Sequence, residues 1–144
     1  MIATYDNQNA IASKYILTFG YGNRKNYDEF FNYLEGFNVV CVVDVRLHPR
    51  AWSRKWYGEI IKKNCSEKNI KYVSKASLGN TSGNSNWIPP NYEEAAIALQ
   101  EISEIAQTGT ILLLCAEKNS DCCHRVEVAL HLQKLVNNEI KHLG

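Results

Sequence analysis

Residues 38–46 read NVVCVVDVR and residues 110–115 read TILLLC. Both runs are apolar throughout rather than at every second position, the pattern of a strand covered on both faces in a parallel sheet. Each ends on a side chain with chemistry of its own, Asp44 in the first and Cys115 in the second. The stretch KYILTFG, residues 14–20, is a third such run, partly β-branched and stopped by Gly20 and Gly22.

Helical patterns alternate with these runs. In YDEFFNYLEGF, residues 27–37, Phe30, Phe31, Leu34 and Phe37 recur at helical spacing, with Asp28 and Glu29 in the first turn and Gly36 near the end. The segment LHPRAWSRKW has no period and predicts a long loop leading into a helix over about Tyr57 to Asn69. IKYVSKASLGN predicts a short strand and a glycine turn. From Tyr92 to Gln107 a helix is expected, its apolar stripe running through Ala95, Leu99, Ile102 and Ala106, widened by Ile105 and ended by Gly109. Asp121 is placed to cap a helix from Cys122 to about Asn137, and a short edge strand is expected from Glu139 to Leu143. Residues 81–91, TSGNSNWIPPN, are too rich in Gly, Ser, Asn and Pro for a helix or central strand and predict a flexible loop or lid.

This alternation implies right-handed βαβ units and an α/β fold. The expected architecture is a single domain over residues 1–144, with a mostly parallel sheet of about four to five strands flanked by helices. Residues 1–14 are expected to form a disordered N-terminal extension. No internal repeat is evident.

The 144 residues carry a formal net charge of +1. Net charge therefore does not indicate a nucleic-acid partner, and any anion binding must be local. Neither a signal-peptide pattern nor an apolar stretch of about 20 residues is present, so no membrane partner and a cytoplasmic location are expected. The cysteines are Cys41, Cys65, Cys115, Cys122 and Cys123, an odd number that argues against a disulfide framework. Cys41 and Cys65 fall in apolar or helical patterns and read as packing. Oligomeric state is not legible in the sequence.

In open parallel sheets ligand sites form outside the carboxyl ends of the strands. Three polar clusters follow strand ends: Gly20 to Arg24, Asp44 to Arg54, and Cys115 to Arg125. In the second, Arg46 and Arg54 suit recognition of phosphate or carboxylate, and Asp44 can orient an arginine or act as a base. Alternatively, Asp44 and an arginine pin the loop as an ion pair, with Trp52 and Trp56 as its apolar anchors. In the third cluster, Cys123, His124 and Arg125 are expected in the first turn of a helix, where free N–H groups favour a thiolate and bind anions. Cys115 or Cys123 is then a candidate nucleophile, His124 a base or acid, Glu117 an orienting carboxylate and Arg125 an anion clamp. Inert packing is the competing reading for the thiols. A metal site from Cys115, Cys122, Cys123 and His124 is not expected, because consecutive helical residues point about 100° apart. No cofactor is expected.

The segments FGYGNR, VVDVRLHP with Ser53-Arg54, KYVSKASLGN and LLLCAEKNSDCCHR resemble the domain of unknown function 488 family, over a stretch from about Ile16 to Leu132. The resemblance implies a compact α/β fold with motif residues Asp44, Arg46, Pro49, Ser53, Arg54, Cys115, Glu117, Cys123, His124 and Arg125, and supplies no reaction. It adds Ser53 to Arg46, Arg54 and Arg125 as candidate ligand-binding residues. Tyr21 stands where the family commonly has His, and Asn80 where a second Gly is usual. Asp44-Val45-Arg46 together with Cys115 also fits the outline of rhodanese-type sulfurtransferases, although Arg125 follows its cysteine at a longer interval than in those proteins.

The function expected from these residues is binding of a phosphate-bearing or other anionic ligand, a nucleotide or nucleic-acid end, with enzymatic action open. A sulfur-transfer or thiol-redox protein and a non-catalytic ligand-binding module are the alternatives. Trp52, Trp56 and Trp87 are candidates either for stacking on a base or for the core.

Overall fold

The computed structural model describes residues 13–22, 24–117 and 123–144. The extension expected over residues 1–14 falls outside these residues apart from Ser13 and Lys14. The elements are β1 (Tyr15–Gly20), α1 (Asp28–Gly36), β2 (Val39–Asp44), α2 (Gly58–Glu67), β3 (Lys71–Ser74), α3 (Tyr92–Ala106), β4 (Thr110–Cys115), α4 (Arg125–Val136) and β5 (Glu139–His142). Short 3-10 turns at Arg54–Trp56 and Ala76–Leu78 punctuate the loops after β2 and β3. No helix among the described residues is long and apolar enough to cross a membrane.

One sheet of five strands in the order β3-β2-β4-β1-β5 unites them, and every pairing is parallel. The strands that read as continuous apolar runs, β1, β2 and β4, are its centre, which is why they need apolar side chains on both faces. The half-exposed β3 and β5 are the edges.

Two apolar clusters sandwich the sheet. On one face Phe30 and Leu34 of α1 and Ile61 and Cys65 of α2 pack on Leu17, Phe19, Val42, Leu112 and Leu114. On the other, Ala95, Ala98 and Ile102 of α3 and Val128, Ala129 and Leu132 of α4 pack on Ile16, Cys41, Val43, Ile111 and Leu113. The chain moves one way along the sheet through α1 and α2, then back the other way through α3 and α4 on the opposite face, so all four crossovers have the same hand, as twisted βαβ units require. Because α2 leaves β2 toward one edge and α4 leaves β4 toward the other, the adjacent ends of β2 and β4 form a topological switch point.

One helix start matches the sequence reading to within a residue and one differs. α2 begins at Gly58, after the turn at Trp56, with the Gly58 N–H donating to the Pro49 carbonyl at 2.8 Å. α4 begins at Arg125, so Cys123 and His124 precede the helix instead of lying in its first turn. The expected cap Asp121 and the expected start Cys122 lie outside the described residues. The predicted α3 stripe is present through Ala95, Ile102 and Ala106, with Ala98 and Ser103 also buried and Leu99 half-buried.

Candidate functional site

The site sits where the ends of β1, β2 and β4 meet. The Val45 N–H donates to Leu114 O at 3.1 Å, Tyr21 N–H to Cys115 O at 3.1 Å and Gly22 N–H to Ala116 O at 2.7 Å, which carries the ladder beyond the strand ends and fixes the loops that follow.

Asp44 is fully buried and its carboxylate is taken up by its neighbours. Arg46 donates to it twice, Nε to Oδ1 at 2.8 Å and Nη2 to Oδ2 at 2.6 Å, and Tyr72 Oη also donates to Oδ2. The spacing of two places both side chains on one face of the extended chain, which lets the guanidinium lie edge-on to the carboxylate. Arg46 Nη1 then reaches Trp56 O at 2.8 Å and Tyr21 Oη at 3.3 Å, tying the end of β2 to the turn before α2. Burial disfavours the Arg46 charge, but the hydrogen bonds and the Coulombic attraction of Asp44 more than offset it and hold the guanidinium above its ordinary range. Burial, followed by the Asp44 carboxylate, likewise raises the Tyr72 phenol. The pair therefore locks the loop, and most of the donors of Arg46 are engaged within the protein.

On the other face the pleat turns Cys115 toward α4, and the turn before that helix brings Cys123 and His124 to it. All three are buried, and their donor atoms lie within 4.8 Å of one another. His124 Nδ1 is 3.7 Å from Cys123 Sγ and 3.9 Å from Cys115 Sγ. His124 Nε2 lies 3.0 Å from Val45 O and 2.9 Å from Leu78 O. Carbonyl oxygens only accept, so Nε2 carries a proton, and Nδ1 faces the two sulfurs. The Cys115 thiol donating toward Cys123, the His124 ring and the Arg125 backbone N–H all lower the Cys123 thiol, against its burial. Cys115 is raised by the same sulfur contact and by burial. The helix N-terminus singles out Cys123 as the sulfur that ionises first. The expectation that these residues point apart assumed that they are helical, and their position before Arg125 removes that constraint.

A pocket of about 250 Å³ opens on this group, bounded also by Arg46, Asn80, Asn84 and Glu117. Its wall includes part of the loop 81–91. That loop is pinned by the Asn80 side chain, whose Oδ1 accepts from Ser82 N at 3.1 Å and Ile88 N at 2.9 Å, and by Trp87, whose indole donates to Gly79 O at 3.0 Å.

A larger cleft of about 1110 Å³ lies alongside, lined by Arg24, Arg50, Trp52, Ser53, Tyr57 and Glu117 among others. Glu117 and Ala116 border both spaces, so the thiol pocket and the cleft share a wall. Trp52 is fully exposed, while Trp56 is buried against Tyr21, Phe30 and Phe19, so only the former offers a free ring. Arg24 donates from Nε to Gly20 O at 2.7 Å and from Nη1 to Glu29 at 2.6 Å, and its buried Nη2 has no hydrogen-bond partner among the described residues.

The sequence candidates thus separate. Cys115, Cys123, His124, Glu117 and Arg46 line the thiol pocket, and Ser53 lines the cleft. Arg54 is exposed with its guanidinium 6.0 Å from the Tyr57 ring. Arg125 is fully buried, its Nη1 donating to the Glu117 carbonyl at 2.6 Å. Sequence reasoning did not single out Arg24, Tyr57, Asn80 or Asn84 as site residues. Arg24 closes the FGYGNR motif and the polar cluster that follows β1, and those were the signals that pointed to it.

No curated protein and no solved structure matches the chain. The family model described as Domain of unknown function DUF488 matches residues 26–132, and the chain belongs to that family.

Proposed function

We propose that the protein binds a phosphate-bearing ligand, a nucleotide or a nucleic-acid end, in the cleft, and that Cys115, Glu117, Cys123 and His124 act on it across the shared wall. The observation that carries this reading is Arg24, a cleft-lining guanidinium, itself buried, with one nitrogen left without an acceptor among the described residues. Unsatisfied buried donors are costly, and an anion is the natural acceptor for a guanidinium. Arg50 and Ser53 add donors for phosphate, and the free face of Trp52 offers a stacking surface for a base.

Calorimetric titration with mononucleotides, 5′-phosphorylated oligonucleotides and inorganic phosphate tests this. Nucleotide-bearing ligands are expected to bind more tightly than phosphate alone, and Arg50→Ala and Trp52→Ala are each expected to weaken binding by about tenfold or more without changing thermal stability. Absence of binding across the panel, or binding that both variants leave untouched, rules the reading out.

Sulfur transfer or thiol redox chemistry is a second reading. It is favoured by one feature, the ionised sulfur of Cys123 facing a pocket beside a second thiol. In this case Cys123 is the nucleophile and Cys115 its partner thiol.

A further inference from the structure

We propose that Cys115 Sγ, Cys123 Sγ and His124 Nδ1 form a site for one thiophilic divalent cation, Zn²⁺ in the first place, with the fourth coordination position open to the pocket of about 250 Å³. The inference stands whether or not the cleft takes a nucleotide, because it rests on the geometry of these donors alone.

Spacing is the first argument. A tetrahedral zinc with Zn–S of about 2.3 Å and Zn–N of about 2.0–2.1 Å sets sulfur and nitrogen roughly 3.6 Å apart and the two sulfurs roughly 3.8 Å apart. The observed Nδ1–Sγ separations are 3.7 and 3.9 Å, and all donor atoms fall within 4.8 Å. The two nitrogen–sulfur separations are thus within a few tenths of an ångström of the required spacing, and the two sulfurs lie within 4.8 Å of each other, close enough for side-chain rotation to bring both onto one ion.

The second argument is the orientation of the imidazole. A ligating histidine donates its other ring nitrogen to a carbonyl or carboxylate, which fixes the tautomer and presents the lone pair to the metal. His124 has this arrangement twice over, with Val45 O and Leu78 O both at Nε2. These carbonyls come from the loops after β2 and β3, so the tertiary structure and not the local chain aims Nδ1.

Charge is the third. Two thiolates neutralise a divalent cation, which matters where the three ligands are only 4–6% exposed. Binding releases the proton that Cys115 donates toward Cys123. Asp44 and Arg46 compensate each other and leave that balance unaltered. Three protein donors with an open fourth position is the arrangement of catalytic rather than structural zinc, and soft sulfur donors select Zn²⁺ over harder ions such as Mg²⁺.

A cation held by both sulfurs withdraws Cys123 from nucleophilic attack, so this inference and the thiol-transfer reading predict opposite behaviour. The test is to load the full-length protein with Zn²⁺, remove loosely bound metal by gel filtration and measure zinc by mass spectrometry. About one equivalent per chain is expected, with at least a tenfold loss in Cys115→Ser and in Cys123→Ser, and with iodoacetamide modification of Cys123 suppressed by zinc and restored by a chelator. Should the serine variants fail to fold, the Co²⁺-loaded wild-type protein decides. Intense sulfur-to-cobalt charge-transfer absorption with tetrahedral d–d bands supports the site. Substoichiometric zinc in the wild type, zinc retained by folded serine variants, or a cobalt spectrum without sulfur ligation overturns it.

Discussion

At the scale of single residues, the same side-chain type does different work according to what it touches. Cys41 and Cys65 lie in the two apolar clusters and burial raises both thiols, to about 11 and about 12, so they are packing groups at neutral pH. Cys123 is held in the opposite direction by the Cys115 thiol, the His124 ring and the Arg125 amide. A cysteine lowered in this way is already thiolate at neutral pH, so its reactivity does not rise toward the free-thiol value of about 8.5. In chelator-treated protein, the alkylation rate of Cys123 should therefore stay nearly level from about pH 8.5 to about pH 6, where a free thiol slows roughly tenfold per pH unit. Peptide mapping after iodoacetamide pulses would show this, and a slope like that of a free thiol would remove Cys123 as a nucleophile. Asp44 and Arg46 make the complementary point. Two residues that the sequence offers as base and anion clamp satisfy each other, and buried pairs of this kind are costly to break because the surviving charge is left alone.

At the scale of elements, the start of α2 is tied to the site through Gly58. A Cβ built there would lie 2.5 Å from Tyr72 Oη and 2.8 Å from Pro49 Cβ. Tyr72 is the second residue, after Arg46, that donates to the Asp44 carboxylate, so a side chain at Gly58 displaces the group that completes that cluster. Replacing glycine by alanine inside a helix ordinarily stabilises it by about 0.5–1 kcal/mol. Gly58→Ala is expected to do the reverse, by about 1–3 kcal/mol, because the close approach dominates. Urea unfolding of the variant measures the sign directly, and an unchanged or higher midpoint would mean that Tyr72 moves aside at little cost. The connection from β4 to α4 carries the other half of the site. Its helix starts at Arg125, which frees Cys123 and His124 from the helical 100° step and lets both face Cys115.

At the scale of the whole molecule, one sheet separates two cores, with Cys65 in the cluster under α1 and α2 and Cys41 in the cluster under α3 and α4. Since β1, β2 and β4 contribute side chains to both, neither core can dissolve without exposing the back of the other. Unfolding is expected to be a single cooperative transition. Pulsed alkylation of Cys41 and Cys65 across a urea series should then give coincident midpoints, and two separate midpoints would show that the layers unfold independently.

The apolar runs at residues 38–46 and 110–115 were enough, on sequence alone, to identify buried parallel strands, because only a strand covered on both faces needs apolar side chains at successive positions. Helix spacing located α1 and α3 in the same way, since periodicity is a local property of the chain. The motifs also placed the polar residues at the carboxyl ends of the strands, where the structure has them. What required the tertiary structure was the pairing of those residues. The sheet pleat sends Asp44 toward Tyr72 and Arg46 toward Trp56, but Cys115 toward α4. Val45 O and Leu78 O, from two different loops, set the His124 tautomer. Arg24 stood in the polar cluster after β1, but it became a candidate ligand-binding residue through burial, which leaves its Nη2 without an acceptor among the described residues. Hydrogen-bond partners and burial depend on contacts between segments far apart in the chain, and such contacts leave no periodic trace in the sequence.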